Sequence, residues 1–194
     1  MTDSTINQKL YTAFAELLKK NDDGISVTRL CEKADVARAS FYLYYKDMED
    51  FNNRILIQIL QKLFEQSRLI LQAPDRELEK VLSENNLLFQ QNDLILLYHF
   101  THGTAYLNFL SKATVFLIPQ YDRLIADRFG ENYLTDDREV CSFFMNGFIP
   151  ILYFDLLYYD KKKIVFEMRC IRAVANELFA RKTNQPHCKD TKSS

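Results

Sequence analysis

Apolar residues recur every three or four positions along most of the chain, which is the spacing of one face of a helix. In residues 5–20, for example, Ile6, Leu10, Phe14 and Leu17 share such a face. Only four Gly and four Pro occur in 194 residues, few for a β-rich fold with many turns. The sequence therefore predicts an all-α protein. The other predicted helices cover 27–33, 37–43, 48–72, 76–90, 93–100, 102–111, 114–129, 137–159 and 164–182.

Capping residues divide the N-terminal part into short helices. Ser26 is a suitable N-cap for the helix at 27–33, and Asp47 is a suitable N-cap for the helix at 48–72. Asp35 lies in the tight turn before the helix at 37–43, and Asp tolerates the left-handed backbone region. Two short helices joined by such a turn have the dimensions of a helix-turn-helix. In that motif the N-terminal residues of the second helix meet base edges in the major groove.

The residues of this second helix suit contact with DNA. Arg38 can donate to guanine or to a phosphate, and the small side chain of Ala39 lets the backbone approach the duplex. Hydroxyl and amine groups that follow can donate to phosphates, which position a protein without reading sequence. These donors are Ser40, Tyr42, Tyr44, Tyr45 and Lys46.

The stretch from Ser26 to Phe51 resembles the DNA-binding domain of the TetR family of bacterial repressors. The matches include the family's buried Ile-Ala pair, the alanine and valine around the turn, and the aromatic residues after it. Arg38 occupies the variable position that often contacts bases. Ser40 occupies a position at which a hydroxyl group contacts phosphate. The other matching residues are Leu30, Cys31, Ala34, Val36, Tyr42, Tyr44, Tyr45 and Phe51.

The chain departs from the family pattern at several positions. Asp35 replaces the turn glycine, Ala37 the serine cap, and Ala39 a glycine. Val27 stands where a second phosphate-binding threonine is common, and Met48 replaces a lysine at the start of the fourth helix. Ser26 and Thr28, which flank Val27, complete the predicted DNA contacts.

The charge pattern leaves two functions open. The formal net charge of the chain is −1, and residues 1–50 carry seven Lys and Arg against nine Asp and Glu. Residues 28–46, by contrast, carry four Lys and Arg against two Asp and Glu. A local basic edge can suffice for DNA binding. The main hypothesis is thus a DNA-binding regulator, and the alternative is a TetR-like coactivator or interaction protein that no longer binds DNA directly.

The resemblance implies a C-terminal domain that binds a ligand and dimerises. The expected organisation is a DNA-binding domain at 1–47, a helical effector-binding and dimerisation domain at 48–182, and a disordered tail at 183–194. Aromatic residues are dense between Tyr98 and Tyr159, and they can either fill a core or line a small-molecule pocket. The expected effector is small and apolar or aromatic. The candidate pocket residues are Tyr106, Tyr121 and Tyr153.

The last two predicted helices carry more apolar surface than one domain face needs. Such faces favour association, and a two-fold four-helix bundle would bury them. The sequence therefore predicts a homodimer, and with it a palindromic site on double-stranded DNA. The predicted interface residues are Leu152, Leu156, Ile164, Met168, Ile171, Ala175 and Leu178.

Other kinds of chemistry have little support in the sequence. His99 and His102 could share a helix face, but the sequence offers no third metal ligand. No nucleophile motif indicates an enzyme, and no cofactor is expected. The cysteines lack metal-ligand spacing, and no secretory signal opens the chain, so reduced thiols in the cytoplasm are expected. Cys170 is expected in the core, and no apolar run is long enough to predict a membrane span.

Overall fold

The computed structural model describes residues 3–20, 24–82, 88–129 and 161–180, together with Phe143 and Gly147. In these ranges every regular element is helical, which confirms the all-α prediction. Two short 3-10 turns, Asp75–Glu77 and Gly103–Ala105, occur beside the α-helices. None of the described helices combines the length and apolar character needed to cross a membrane. The α-helices are α1 (Asp3–Lys19), α2 (Val27–Ala34), α3 (Arg38–Tyr44), α4 (Met48–Gln72), α5 (Leu78–Val81), α6 (Gln91–Thr101), α7 (Tyr106–Phe129) and α8 (Lys161–Ala180).

The observed helices depart from the predicted ones in two places along the chain. Within the segment predicted as one helix over 76–90, the described residues form the end of the 3-10 turn Asp75–Glu77 and then α5, which ends at Val81. The helices predicted at 102–111 and 114–129 form the single helix α7, because residues 111–113 contain no Gly or Pro to interrupt it. Pro119 lies inside this helix. Apart from Phe143 and Gly147, the predicted helix at 137–159 falls outside the described residues, as does the tail at 183–194.

The chain divides into two compact units. The first contains residues 1–67 and 84–117, and the second contains residues 68–83 and 118–194. The predicted DNA-binding domain, 1–47, lies within the first unit, which also includes most of α4 and all of α6. The boundaries between the units fall within α4 and α7, so each of these helices contributes residues to both.

The core of the first unit contains an aromatic cluster formed by Phe14 of α1, Phe41 of α3, Tyr45, and Phe51 of α4. All four side chains are buried. The Phe51 ring centroid lies 5.3 Å from Phe14, 5.9 Å from Phe41 and 5.0 Å from Tyr45. Edge-to-face and tilted contacts of this kind add to the stability gained from burying the rings. The aromatic cluster therefore holds α3 against both α1 and α4.

A second connection in the same unit is the buried carboxylate of Asp93. Its Oδ1 accepts hydrogen bonds from the Tyr11 hydroxyl of α1 and, at 2.7 Å, from Nζ of Lys62 on α4. Its Oδ2 accepts from the backbone N–H of Gln90 at 2.7 Å, which caps α6. Burial, with the hydrogen bond to Asp93, raises the pKa of Tyr11 well above its usual value. One side chain thus connects α1, α4 and α6.

The turn between α2 and α3 forms as its residues predict. Ser26 is the N-cap of α2, and its Oγ accepts from the Arg29 N–H at 3.3 Å. Asp35 adopts the left-handed conformation with φ 51° and ψ 53°. The N–H of Val36 then donates to the carbonyl of Cys31 at 3.0 Å, closing the end of α2. Three residues, 35–37, therefore separate the two helices.

Asp35→Gly should stabilise the protein, because glycine enters the left-handed region without the steric cost that a Cβ brings. We expect the free energy of unfolding to rise by roughly 0.5–1 kcal/mol, and Asp35→Ala to lower it by about 1 kcal/mol. The ion pair with Lys9, at 3.6 Å and with Asp35 fully exposed, should contribute little. Urea unfolding of the three proteins measures these differences. A glycine variant no more stable than the alanine variant would contradict the assigned backbone conformation.

Candidate nucleic-acid interface

Helix α3 is attached to the rest of the unit by one buried side chain, that of Phe41. The other residues of the helix remain at least partly accessible. Arg38, Ala39, Tyr42 and Leu43 are exposed, and Ser40 and Tyr44 are half-buried. We call the surface formed by Arg38, Ala39, Tyr42 and Leu43 the α3 edge.

The predicted reading residues lie on or beside the α3 edge. Arg38 is the first residue of α3, and among the described residues no carboxylate pairs with it. Lys46 is exposed just beyond the C-terminal end of the helix. The α3 edge therefore contains one cation, Arg38, and has a second, Lys46, beside it. Its other side chains are small, aromatic or aliphatic, and such a surface can contact both phosphates and base edges.

Ser26 and Thr28 lie at the start of α2. Both are exposed. The Ser26 oxygen accepts the Arg29 N–H as the helix cap, and its hydroxyl hydrogen can still be donated. These positions therefore keep a hydroxyl donor available at the N-terminal end of α2.

Tyr45 was predicted to donate to a DNA phosphate, but its side chain lies in the interior and not on the α3 edge. Its side chain is only 4% exposed and packs in the aromatic cluster. The Tyr45 hydroxyl donates to Oδ1 of Asn7 on α1 at 3.1 Å. Burial raises the pKa of this phenol. The sequence shows two successive tyrosines, and only the packing of α3 on Phe51 decides which of them turns inward.

Leu43 is a member of the α3 edge that the sequence reasoning missed. Its side chain is 80% exposed, although leucine is usually buried. The signal was available, because residues two apart in a helix face nearly opposite sides. With Phe41 in the core, Leu43 must point outward, one helical turn after Ala39.

The acidic start of α4 is partly neutralised by Arg54, a second residue that the sequence reasoning missed. Its Nε and Nη2 each lie 3.1 Å from an oxygen of Asp50, one turn earlier. Hydrogen bonds from Arg54 and from the N–H of Lys46 lower the pKa of Asp50. The Arg54 guanidinium also lies over the Tyr45 ring, 5.4 Å from its centroid. Asp50 therefore repels a nearby phosphate less than its position in the sequence suggests.

The three pocket candidates have different surroundings. Tyr121 is fully buried in the second unit. Tyr106 belongs to the first unit and is 43% exposed, so the structure places it at the surface instead of in a pocket. Tyr153 lies outside the described residues. The first unit does contain a cleft of about 440 Å³, but its lining is mainly polar and includes Asn7, Gln58, Lys62, Asn92 and Asp93.

The predicted dimer stripe is also corrected. Met168, Ile171 and Ala175 are already buried within a single chain, because the stripe packs inside the second unit. Phe166 and Val174 are exposed, as is Cys170, which the sequence had suggested for the core. These three residues are spaced four apart on α8 and form one outer face. Ile164 and Leu178 also belong to α8, while Leu152 and Leu156 lie outside the described residues.

The two histidines of interest have aromatic neighbours. His99 meets the ring of Phe14 edge-on with centroids 6.0 Å apart, and burial lowers its pKa. His102 stacks on Tyr98 with centroids 4.0 Å apart. Among the described residues, no three His, Cys, Asp or Glu side chains are grouped as a metal site would require. Ring packing accounts for the positions of both histidines.

Comparisons of the chain with protein-family models, with curated proteins and with solved structures find no match. The chemistry of the α3 edge and of the second unit is therefore the basis on which a function can be assigned.

Proposed function

We propose that this chain is a dimeric, ligand-responsive transcription regulator of the TetR type, with repression as its expected mode. In this proposal α2 and α3 are a helix-turn-helix, and α3 enters the major groove of a palindromic operator. The observation that carries the proposal is the α3 edge. A short helix follows α2 after three residues, buries the single side chain of Phe41, and presents Arg38 and Ala39 at its N-terminal end. That is the end which meets base edges in such motifs.

The charge distribution is compatible with this role. The first fifty residues are net acidic, but the acids are not concentrated on the α3 edge. Glu16 is paired with Lys33 at 2.6 Å, and Asp50 is paired with Arg54. Arg38 lies on the α3 edge, and Lys46 lies beside it. A small number of phosphate contacts predicts moderate affinity for random DNA and a shallow dependence on salt.

The alternative is an interaction protein that has kept the fold and lost DNA binding. The exposed Tyr42 and Leu43 favour it, because aromatic and aliphatic groups on a surface also suit contacts with another protein. The two functions differ in what Arg38 and Leu43 contact, and the two experiments on these residues separate them.

Arg38→Ala should weaken binding to a duplex that carries the preferred site by roughly 1–3 kcal/mol, because a side chain that grips guanine or phosphate is lost. Fluorescence anisotropy of the labelled duplex at fixed salt measures the loss. Arg76→Ala, which removes an exposed arginine from the second unit, is the matched control and should bind as the wild type does. If the Arg38 and Arg76 variants bound the duplex with equal affinity, α3 would not be the helix that contacts the bases.

Leu43 should contact the methyl group of a thymine. Replacing each thymine of the bound site in turn by deoxyuridine removes one methyl, and we expect one position per half-site to lose about 0.8 kcal/mol. In Leu43→Ala the same replacement should have no effect, since the partner of the methyl is gone. A deoxyuridine effect that persists in Leu43→Ala would assign the contact to another residue. If neither Arg38→Ala nor Leu43→Ala changed DNA binding, the result would favour the alternative function, an interaction protein.

Dimerisation and effector binding are proposed for the remaining helices. The outer face of α8, Phe166, Cys170 and Val174, is the candidate dimer interface. The effector is proposed to bind in the second unit, where Tyr121 is buried. Because α4 contributes residues to both units and begins just after α3, it is a continuous element through which an effector could change the separation of two α3 helices. A ligand does so only if it binds the two arrangements with different affinities.

The double variant Phe166→Glu with Val174→Glu should convert the dimer into a monomer, because it places charges in an apolar seam. Leu107→Glu with Val115→Glu is the matched control, since these exposed residues have the same spacing on α7. It should remain dimeric. Sedimentation velocity at micromolar concentration gives the masses. A monomeric wild type, or dissociation of the control alone, would contradict this interface.

A further inference from the structure

The second unit contains a buried cation, Arg172 of α8. Only 7% of the surface of Arg172 is exposed. Met168 and Ala175, one turn before and one turn after it, are buried on the same face of the helix. Among the described residues, the inward stripe of α8 is therefore apolar except for this one guanidinium.

The hydrogen bonds of Arg172 are incomplete. Its Nη2 lies 3.1 Å from Oδ1 of Asp75, whose side chain is 84% exposed. The other two nitrogens, Nε and Nη1, are buried and have no acceptor among the described residues. The guanidinium of Arg54 is better satisfied than that of Arg172, because its Nε and Nη2 both donate to the carboxylate of Asp50.

Buried donors without acceptors destabilise a folded protein, and a buried charge with one exposed partner does so more strongly. An apolar residue of similar volume would avoid that cost. The buried arginine therefore points to a second state of the protein, in which an acceptor reaches at least one of the free nitrogens. Carboxylates match guanidinium geometry, and they are the acceptor class that Arg172 already uses in Asp75.

We propose that, in this second state, Arg172 binds the carboxylate of a small organic acid whose hydrocarbon part packs against the apolar stripe of α8. The inference rests on the proposed ligand-responsive function and narrows its effector from any small apolar or aromatic molecule to one that carries a carboxylate. The Asp75 side chain is 84% exposed, so its carboxylate can turn to water when the ligand carboxylate takes its place on Nη2 and also reaches Nε, as Asp50 does on Arg54.

Two probes and their neutral counterparts test this assignment: octanoate against octanamide, and benzoate against benzamide. At least one acid should raise the unfolding temperature of the wild type by about 2 °C or more, while its amide should not. Arg172→Met should weaken binding of that acid roughly 10- to 100-fold. Arg169→Met, which replaces an exposed arginine of the same helix, is the matched control and should respond to the acid as the wild type does.

The ligand-free variants provide a second readout that needs no effector. Arg172→Met should unfold at the same temperature as the wild type or at a higher one, because it removes unsatisfied buried donors. Unfolding several degrees lower than Arg169→Met would show that the guanidinium is a structural group and would overturn the proposal. Acids and amides that act alike on the wild type would also overturn it. Acid binding through Arg172 in a protein that fails to bind DNA would instead refute the proposed function and leave the site intact.

Discussion

The contact of Phe41 with the aromatic cluster is the constraint on which the candidate interface depends. Helix α3 has seven residues, too few to be stable alone, and Phe41 is its one buried side chain. The rings of Phe51 and Tyr45 surround it, and Phe14 joins α1 to the same cluster. Once Phe41 is fixed, the helical period determines which residues face outward. The composition of the α3 edge is thus a consequence of how one ring packs.

The Asp93 carboxylate extends this constraint to the rest of the first unit. Through Tyr11 and Lys62 it joins α1 and α4 to the first turn of α6. Because the carboxylate is buried, its partners must stay in place, since an unpaired charge there would be costly. A shift of α4 would therefore strain the hydrogen bonds that also hold α1. In the proposed regulator this arrangement would carry a change in α4 to the helices that support α3.

Local chemistry determined what could be predicted from the sequence. Ser26, Asp35 and Asp47 act on neighbouring backbone, so the positions of α2, α3 and α4 followed from them. The inward turn of Tyr45, the pairing of Asp50 with Arg54 and the buried stripe of Met168 and Ile171 depend on tertiary packing. A helical stripe has the same pattern whether it faces its own core or a second chain, which is why Met168, Ile171 and Ala175 were predicted at a dimer interface although they are buried within one chain. Arg172 was missed because no sequence pattern distinguishes a buried arginine from an exposed one.

Selection of bound sequences from a random duplex pool tests the central claim most directly. Two α3 helices related by a two-fold axis should enrich a two-fold symmetric site whose half-sites are centred about 10 base pairs, or a multiple of that, apart. Arg38→Ala should enrich a less restricted version of the same site. A pool that shows no enriched sequence after repeated rounds, or one enriched for a single asymmetric motif, would contradict the account.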